Sequence, residues 1–166
     1  GFLDHMLELF AFWGHFDLTI VTRGADLKVD MHHLNEDLGI VLGQAFKQAL
    51  GNKAGIRRIG FAAVPMEEVT ACVTLDISGR PSFQLDLSAG CVPAGQNNYD
   101  LKYAEHFFLA FAKQLGVNLN AKIERPVKDL HAVLEPLFKA TGIALDVATQ
   151  IDPRRKGIPS TKGVID

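Results

Sequence analysis

Two histidines stand side by side in MHHLNEDLGI, residues 31–40, and a glutamate follows within one helical turn: His32, His33 and Glu36. On a helix Glu36 lies four residues from His32 and three from His33, so it can share a face with either. The two imidazoles diverge by about 100°, which suits two different metal ions better than one. A second His-x-x-x-Glu pair, His131 and Glu135, occurs in LHAVLEP. His5 in LDHM and His106 in AEHFF open helical runs of their own. The helix dipole disfavours a charged imidazolium at these N-termini. Neutral imidazole is the commonest metal ligand, and imidazole with carboxylate suits manganese, iron, zinc, nickel or cobalt. One such pair is ordinarily a surface hydrogen bond. Two pairs, each with a further helix-start histidine, point to metal binding.

These residues recur in order, as a duplicated unit would place them. LDHMLELFAFWG and AEHFFLAFAKQLG each set an acid before a histidine, an aromatic five residues after it, and a glycine stop. Each leads to a strand pattern and then to a second helix opened by histidine and glutamate. His5 and His32 are 27 residues apart, His106 and His131 25. A fixed period of this kind signals an internal repeat.

The elements that must carry these residues follow from hydrophobic periodicity. Helices are predicted over 3–13 with Asp4 as its cap, from the opening motif to a stop at Gly51, over 100–115, and over 129–150. The first is apolar on most sides and should be well buried. Gly39 and Gly43, on one side of the second, should let it approach another backbone. Strands are predicted over 16–22 and 26–30 around a turn at Arg23-Gly24, and over 117–124. A meander of three more is predicted over 56–64, 69–77 and 82–87. Residues 89–98 read as loop and the tail after 150 as irregular.

Totals narrow the class. A chain of 166 residues, 48% hydrophobic, suits one compact unit or two small halves sharing a core. Seventeen basic against nineteen acidic side chains argue against a general nucleic-acid binder. Cys72 and Cys91 form no CxxC pair, so a cysteine zinc site is unsupported, and two cysteines fit a reducing cytosol. Cys72 is expected to be a small buried side chain. No apolar run approaches the roughly 20 residues of a membrane helix, and no basic leader marks a signal peptide. The first residues run almost directly into a helical pattern, as when a domain starts abruptly or upstream sequence is missing.

At these residues the chain resembles the imidazoleglycerol-phosphate dehydratase family of histidine biosynthesis. The matching stretches are GFLDHM, VDMHHLNED, GIRRIG, PMEE, LDISGRP, EHFF, LFKA and DPRRKGIPSTKGV, in the family's order across the whole chain. The resemblance implies an α+β fold, a tandem duplication of a unit with a left-handed βαβ crossover like the second domain of ribosomal protein S5, with packed helix pairs on sheets. The first repeat would span 1–88, its N-terminal strand missing. The second would span 89–166 with a phosphate-binding tail, the two forming one compact domain. A pair of Mn2+ ions per active site is implied, as is a cytoplasmic homo-oligomer of about 24 subunits with cubic symmetry and sites between subunits. No nucleic acid or membrane partner is expected.

The family's metal ligands map onto His5, His32, His33, Glu36, His106, His131 and Glu135. Its phosphate grip maps onto Arg58, Arg80, Ser160 and Lys162, with Arg57 as the neighbouring decoy. The implied reaction removes water from imidazole glycerol phosphate to give imidazole acetol phosphate. The hydrogen to be lost is not acidic. Ions on the ring nitrogens would stabilise an imidazolate; the electron-rich ring could then expel the neighbouring hydroxyl as a diazafulvene, after which a carboxylate takes the side-chain proton. Glu36 or Glu135 would serve if not wholly committed to metal; Glu67 and Glu68 in PMEE are further candidates, Glu68 foremost.

The chain departs from the family pattern at four places. Ala132 stands where a second adjacent histidine is usual, so one ligand is missing. Pro136 follows Glu135 and removes a helix hydrogen bond. Leu9 replaces a glutamine that helps hold phosphate. The upstream strand that carries a family carboxylate implicated in catalysis has no counterpart in these residues. A diverged, non-catalytic, metal-assembled homologue is the alternative reading. An S5-like RNA-binding module is a weaker one, opposed by the acidic balance and the histidines.

Overall fold

Alternating burial makes Val69–Asp76 the centre of a sheet. Val69, Ala71, Val73 and Leu75 turn inward, and the residues between them face the other side. In the computed structural model, which describes residues 1–24, 30–88 and 91–165, the order of elements is as follows. α1 (Phe2–Gly14) and α2 (His32–Leu50) precede β1 (Ile59–Met66), β2 (Val69–Asp76) and β3 (Ser82–Leu87). α3 (Leu101–Leu115), β4 (Asn118–Glu124) and α4 (Leu130–Thr149) follow. The fold is α+β.

The sheet order is β1-β2-β4-β3. β1 and β2 form the expected antiparallel hairpin. The third strand does not continue a meander: β4 inserts antiparallel beside β2, and β3 pairs with β4 in parallel at the edge. The inward residues explain this. Leu119, Ala121 and Ile123 of β4 are fully buried, whereas β3 has no buried residue, so the more apolar strand takes the central place.

Residues 16–22, read as a strand, pair with no strand among the described residues. Their partner in that reading, 26–30, lies outside the described residues except for Asp30. Phe16 is held instead by ring contacts, 4.8 Å from Phe46 and 5.9 Å from Phe10 between centroids. α1 is less buried than its composition suggests. Leu3, Met6, Leu7 and Phe10 face inward, but Phe12 is 74% exposed. Asp4 lies in the first turn, with Gly1 at the cap position. Cys72 is half-buried, on the face of β2 opposite Ala71 and Val73. No helix among the described residues is long and apolar enough to cross a membrane.

The helices pack in two pairs, and in both pairs they run parallel. Gly39 and Gly43 of α2 meet the backbone of Phe107 and Phe111 of α3; Gly142 of α4 meets Phe10 of α1. The first pair bears out the close approach expected from Gly39 and Gly43. A methyl group on Gly142 would sit 2.3 Å from the Phe10 carbonyl oxygen. Gly142→Ala should therefore destabilise the protein by about 1–3 kcal/mol, the usual cost of overpacking, read as a lowered midpoint in thermal unfolding. α4 also lies on the sheet, where Gly60 of β1 leaves no room for a side chain against Ala144.

Parallel packing collects helix N-termini at one end of the molecule. Tyr99, immediately before α3, is fully buried there and stacks on Phe2 at the start of α1, centroids 4.9 Å apart. Its hydroxyl donates to Asn35 Oδ1 of α2 at 2.5 Å, and Asn35 Nδ2 donates to the Met31 carbonyl at 2.7 Å. Burial pushes the Tyr99 phenol up, so it stays a donor. Gln96, three residues earlier, accepts from the His131 backbone N–H at the start of α4. All four helices thus begin around one loop, which is why histidines distant in sequence can meet.

Candidate metal centres

The starts of α2 and α4 are fixed by aspartates. The His32 N–H donates to Asp30 Oδ1 at 2.7 Å, and the His131 N–H to Asp129 Oδ1 at 2.9 Å. Both bonds satisfy orphan N–H donors in the first turn that carries each histidine; Asp129 is the N-cap of α4, whereas Asp30 precedes the Met31 cap of α2. α4 then continues through Pro136 to Thr149 without a break. The proline does not misdirect Glu135, because its side chain still reaches the imidazoles.

His5 from α1 joins His131 and Glu135 from α4. Their donor atoms all lie within 4.8 Å of one another. Glu135 Oε2 is 2.6 Å from His131 Nε2 and 3.5 Å from His5 Nε2. The other carboxylate oxygen, Oε1, accepts from Lys139 Nζ at 2.5 Å. Glu135 is 14% exposed. Burial pushes its carboxyl up, but hydrogen bonds and charge from Lys139 and His131 outweigh it and hold the group below the usual carboxylate range. Lys139 was not singled out in the sequence; its spacing of four from Glu135, within the LFKA stretch, was the available signal.

A second group forms between α2 and α3. His32 and His106 have ring centroids 3.9 Å apart, and His32 Nε2 lies 3.3 Å from Glu36 Oε2. Glu36 is 49% exposed. His33 is exposed, its ring nearly perpendicular to that of His32 with centroids 5.7 Å apart, whereas Ala132 at the corresponding place on α4 is 4% exposed.

The two groups exchange partners between the two segments that resemble each other in sequence. His5 of the first segment meets the His-x-x-x-Glu of the second; His106 of the second meets that of the first. Neither segment builds a centre alone.

The residues assigned to phosphate lie elsewhere, on the sheet, the β2–β3 turn and the tail. Arg58, which has a left-handed φ of 75°, donates from Nε and Nη2 to Asp76 at 2.6 and 2.9 Å, and from Nη1 to the Pro159 carbonyl at 2.9 Å. It thereby ties the tail to the sheet, next to Ser160, whose Oγ accepts from the Lys162 N–H at 3.2 Å. Arg80 is exposed on the β2–β3 turn, its N–H bonded to Ser78 Oγ. The Arg58 N–H donates to the carbonyl of Ala148 near the end of α4. A helical rise of about 1.5 Å per residue separates Ala148 from His131 by roughly 26 Å. Glu68 lies in the β1–β2 turn, at the end of the sheet from which β4 leads toward α4, since Thr70 pairs with Glu124.

A family model described as imidazoleglycerol-phosphate dehydratase matches residues 1–145. The chain belongs to this family. The imidazoleglycerol-phosphate dehydratase of Pelobacter propionicus is 48% identical over 99% of this chain and 82% of its own length; that of Acetivibrio thermocellus is 48% identical over 99% and 83%. Among solved structures, the dehydratase of Staphylococcus aureus superposes with a TM-score of 0.82 at 33% identity, covering 92% of this chain and 84% of its own. The dehydratase of Pyrococcus furiosus in complex with (S)-C348 gives 0.76 at 30%, covering 98% and 85%.

For a member of the imidazoleglycerol-phosphate dehydratase family, the donor set fits a metal ion. Two imidazoles and one carboxylate oxygen converge between α1 and α4, and the carboxyl is held ionised. Borderline nitrogen with hard oxygen suits a first-row divalent cation.

Proposed function

We propose that the chain is a metal-dependent hydro-lyase that converts imidazole glycerol phosphate to imidazole acetol phosphate in histidine biosynthesis. The observation that carries the metal reading is the meeting of His5 with His131 and Glu135 across the repeat. His32, Glu36 and His106 would hold a second ion, and His33 would serve a neighbouring site. Mn2+ ions held there would supply the Lewis acidity that stabilises the substrate ring as its imidazolate.

The chain's own groups divide the remaining work. Glu135 is committed on both oxygens, to His131 and Lys139, and acts as ligand. Glu36 makes the looser contact through one oxygen and is the more open carboxylate, so its other oxygen, left off the ion, is the better acceptor for the side-chain proton. Glu68 would serve only if a neighbouring copy placed it at the site. Ser160 and Lys162, in a glycine-flanked tail, offer a hydroxyl, an ammonium and backbone N–H groups to phosphate. Arg58 keeps two N–H groups beyond its three bonds, and Arg80 adds exposed charge.

A three-carbon side chain cannot span the roughly 26 Å between the α1–α4 centre and the Arg58 region. Phosphate and ring must therefore be held by different copies, in a homo-oligomer of about 24 subunits. The repeats would be 1–88 and 89–166, in one cytoplasmic domain.

Elemental analysis of the purified protein beside a dehydration assay tests the proposal. Close to two manganese ions per chain and turnover lost on chelation are expected. Turnover that survives complete metal removal would overturn the reading; bound metal without turnover would mark a non-catalytic homologue.

A further inference from the structure

The two centres share a plan but not a charge. Glu135 has Lys139 four residues on; Glu36, its counterpart, has Ile40 four residues on. The Lys139 ammonium sits on Oε1 of the same carboxylate whose Oε2 faces both imidazoles. It is confined there, 18% exposed, with Nζ 5.7 Å from the Trp13 ring centroid. Any cation on Oε2 would lie only about the width of the carboxylate from this ammonium, and like charges that close repel. Among the described residues, the Glu36 contact, a 3.3 Å approach to His32, carries no such cation.

Resting on the metal reading above, we propose that Lys139 makes the centres unequal: divalent ions fill His32–Glu36–His106 first and His5–His131–Glu135 second. The gathered donors of the α1–α4 centre would by themselves favour it. That gathering is held in part by Lys139, whose charge an incoming ion must then tolerate. The weaker centre is the one to empty when the cation is scarce, so Lys139 sets the supply of metal at which a chain becomes doubly loaded.

Titration of the metal-stripped full chain with Mn2+, following free ion by electron paramagnetic resonance, tests this. Two affinity classes are expected, with His106→Ala removing the tighter and His131→Ala the weaker. Lys139→Met, which keeps the stem against Trp13, should strengthen the weaker class about tenfold and leave the tighter one in place. The reciprocal Ile40→Lys should weaken the tighter class by a similar factor. An unchanged or weakened second class in Lys139→Met, or an inverted assignment of the two classes, would overturn the proposal. If wild type binds no Mn2+, or if neither histidine variant alters binding, the metal reading itself fails instead. Should Ile40→Lys not fold, Lys139→Met alone decides.

Discussion

His131→Ala should lower kcat/KM by at least about 100-fold and remove close to one metal ion per chain. Loss of an outer partner of a metal ligand already costs 10–100-fold, and His131 is closer than that. It is the residue whose Nε2 lies 2.6 Å from Glu135 and whose ring sits 5.2 Å from that of His5. Its removal takes away a donor and leaves Glu135 to Lys139 and the longer contact with His5. Steady-state kinetics with metal counting checks this. Wild-type metal content with lost activity would make His131 a substrate contact, and unchanged activity would remove it from the site.

Co-expressing two inactive chains should restore activity. His131→Ala spoils the metal end and leaves the tail intact; Lys162→Ala does the reverse. With α4 holding these ends roughly 26 Å apart, a working site needs the intact metal end of one copy and the intact tail of another. Random assembly then gives about one quarter of wild-type sites, a half for each requirement. Differently tagged chains purified through both tags would be assayed. If the mixture is as inactive as its parents, both ends act within one chain, and the separation along α4 has been misjudged.

Helix positions were legible because their signals are local. Gly51 and Gly116 close α2 and α3 where the periodicity ends, and Asp100 and Asp129 cap α3 and α4. The histidines were legible because imidazole at a helix start has few structural reasons to be there. Sheet order was not legible: it depends on whether β3 or β4 buries more apolar surface against the helices, a competition between distant segments. Residues 16–22 form no strand among the described residues, because alternation gives a segment its faces but no partner. Lys139 was overlooked because a lysine four residues from a glutamate is usually a solvated pair. Only the packing of α1 on α4, which brings His5 and Trp13 beside it, makes the contact consequential.

Crystals grown with Mn2+ and measured at the manganese absorption edge test the central claim most directly. Anomalous peaks are expected within bonding distance of His5, His131 and Glu135, and of His32, Glu36 and His106. Peaks confined to other acidic surfaces, with these imidazoles left bonded only to protein atoms in saturating Mn2+, would contradict it.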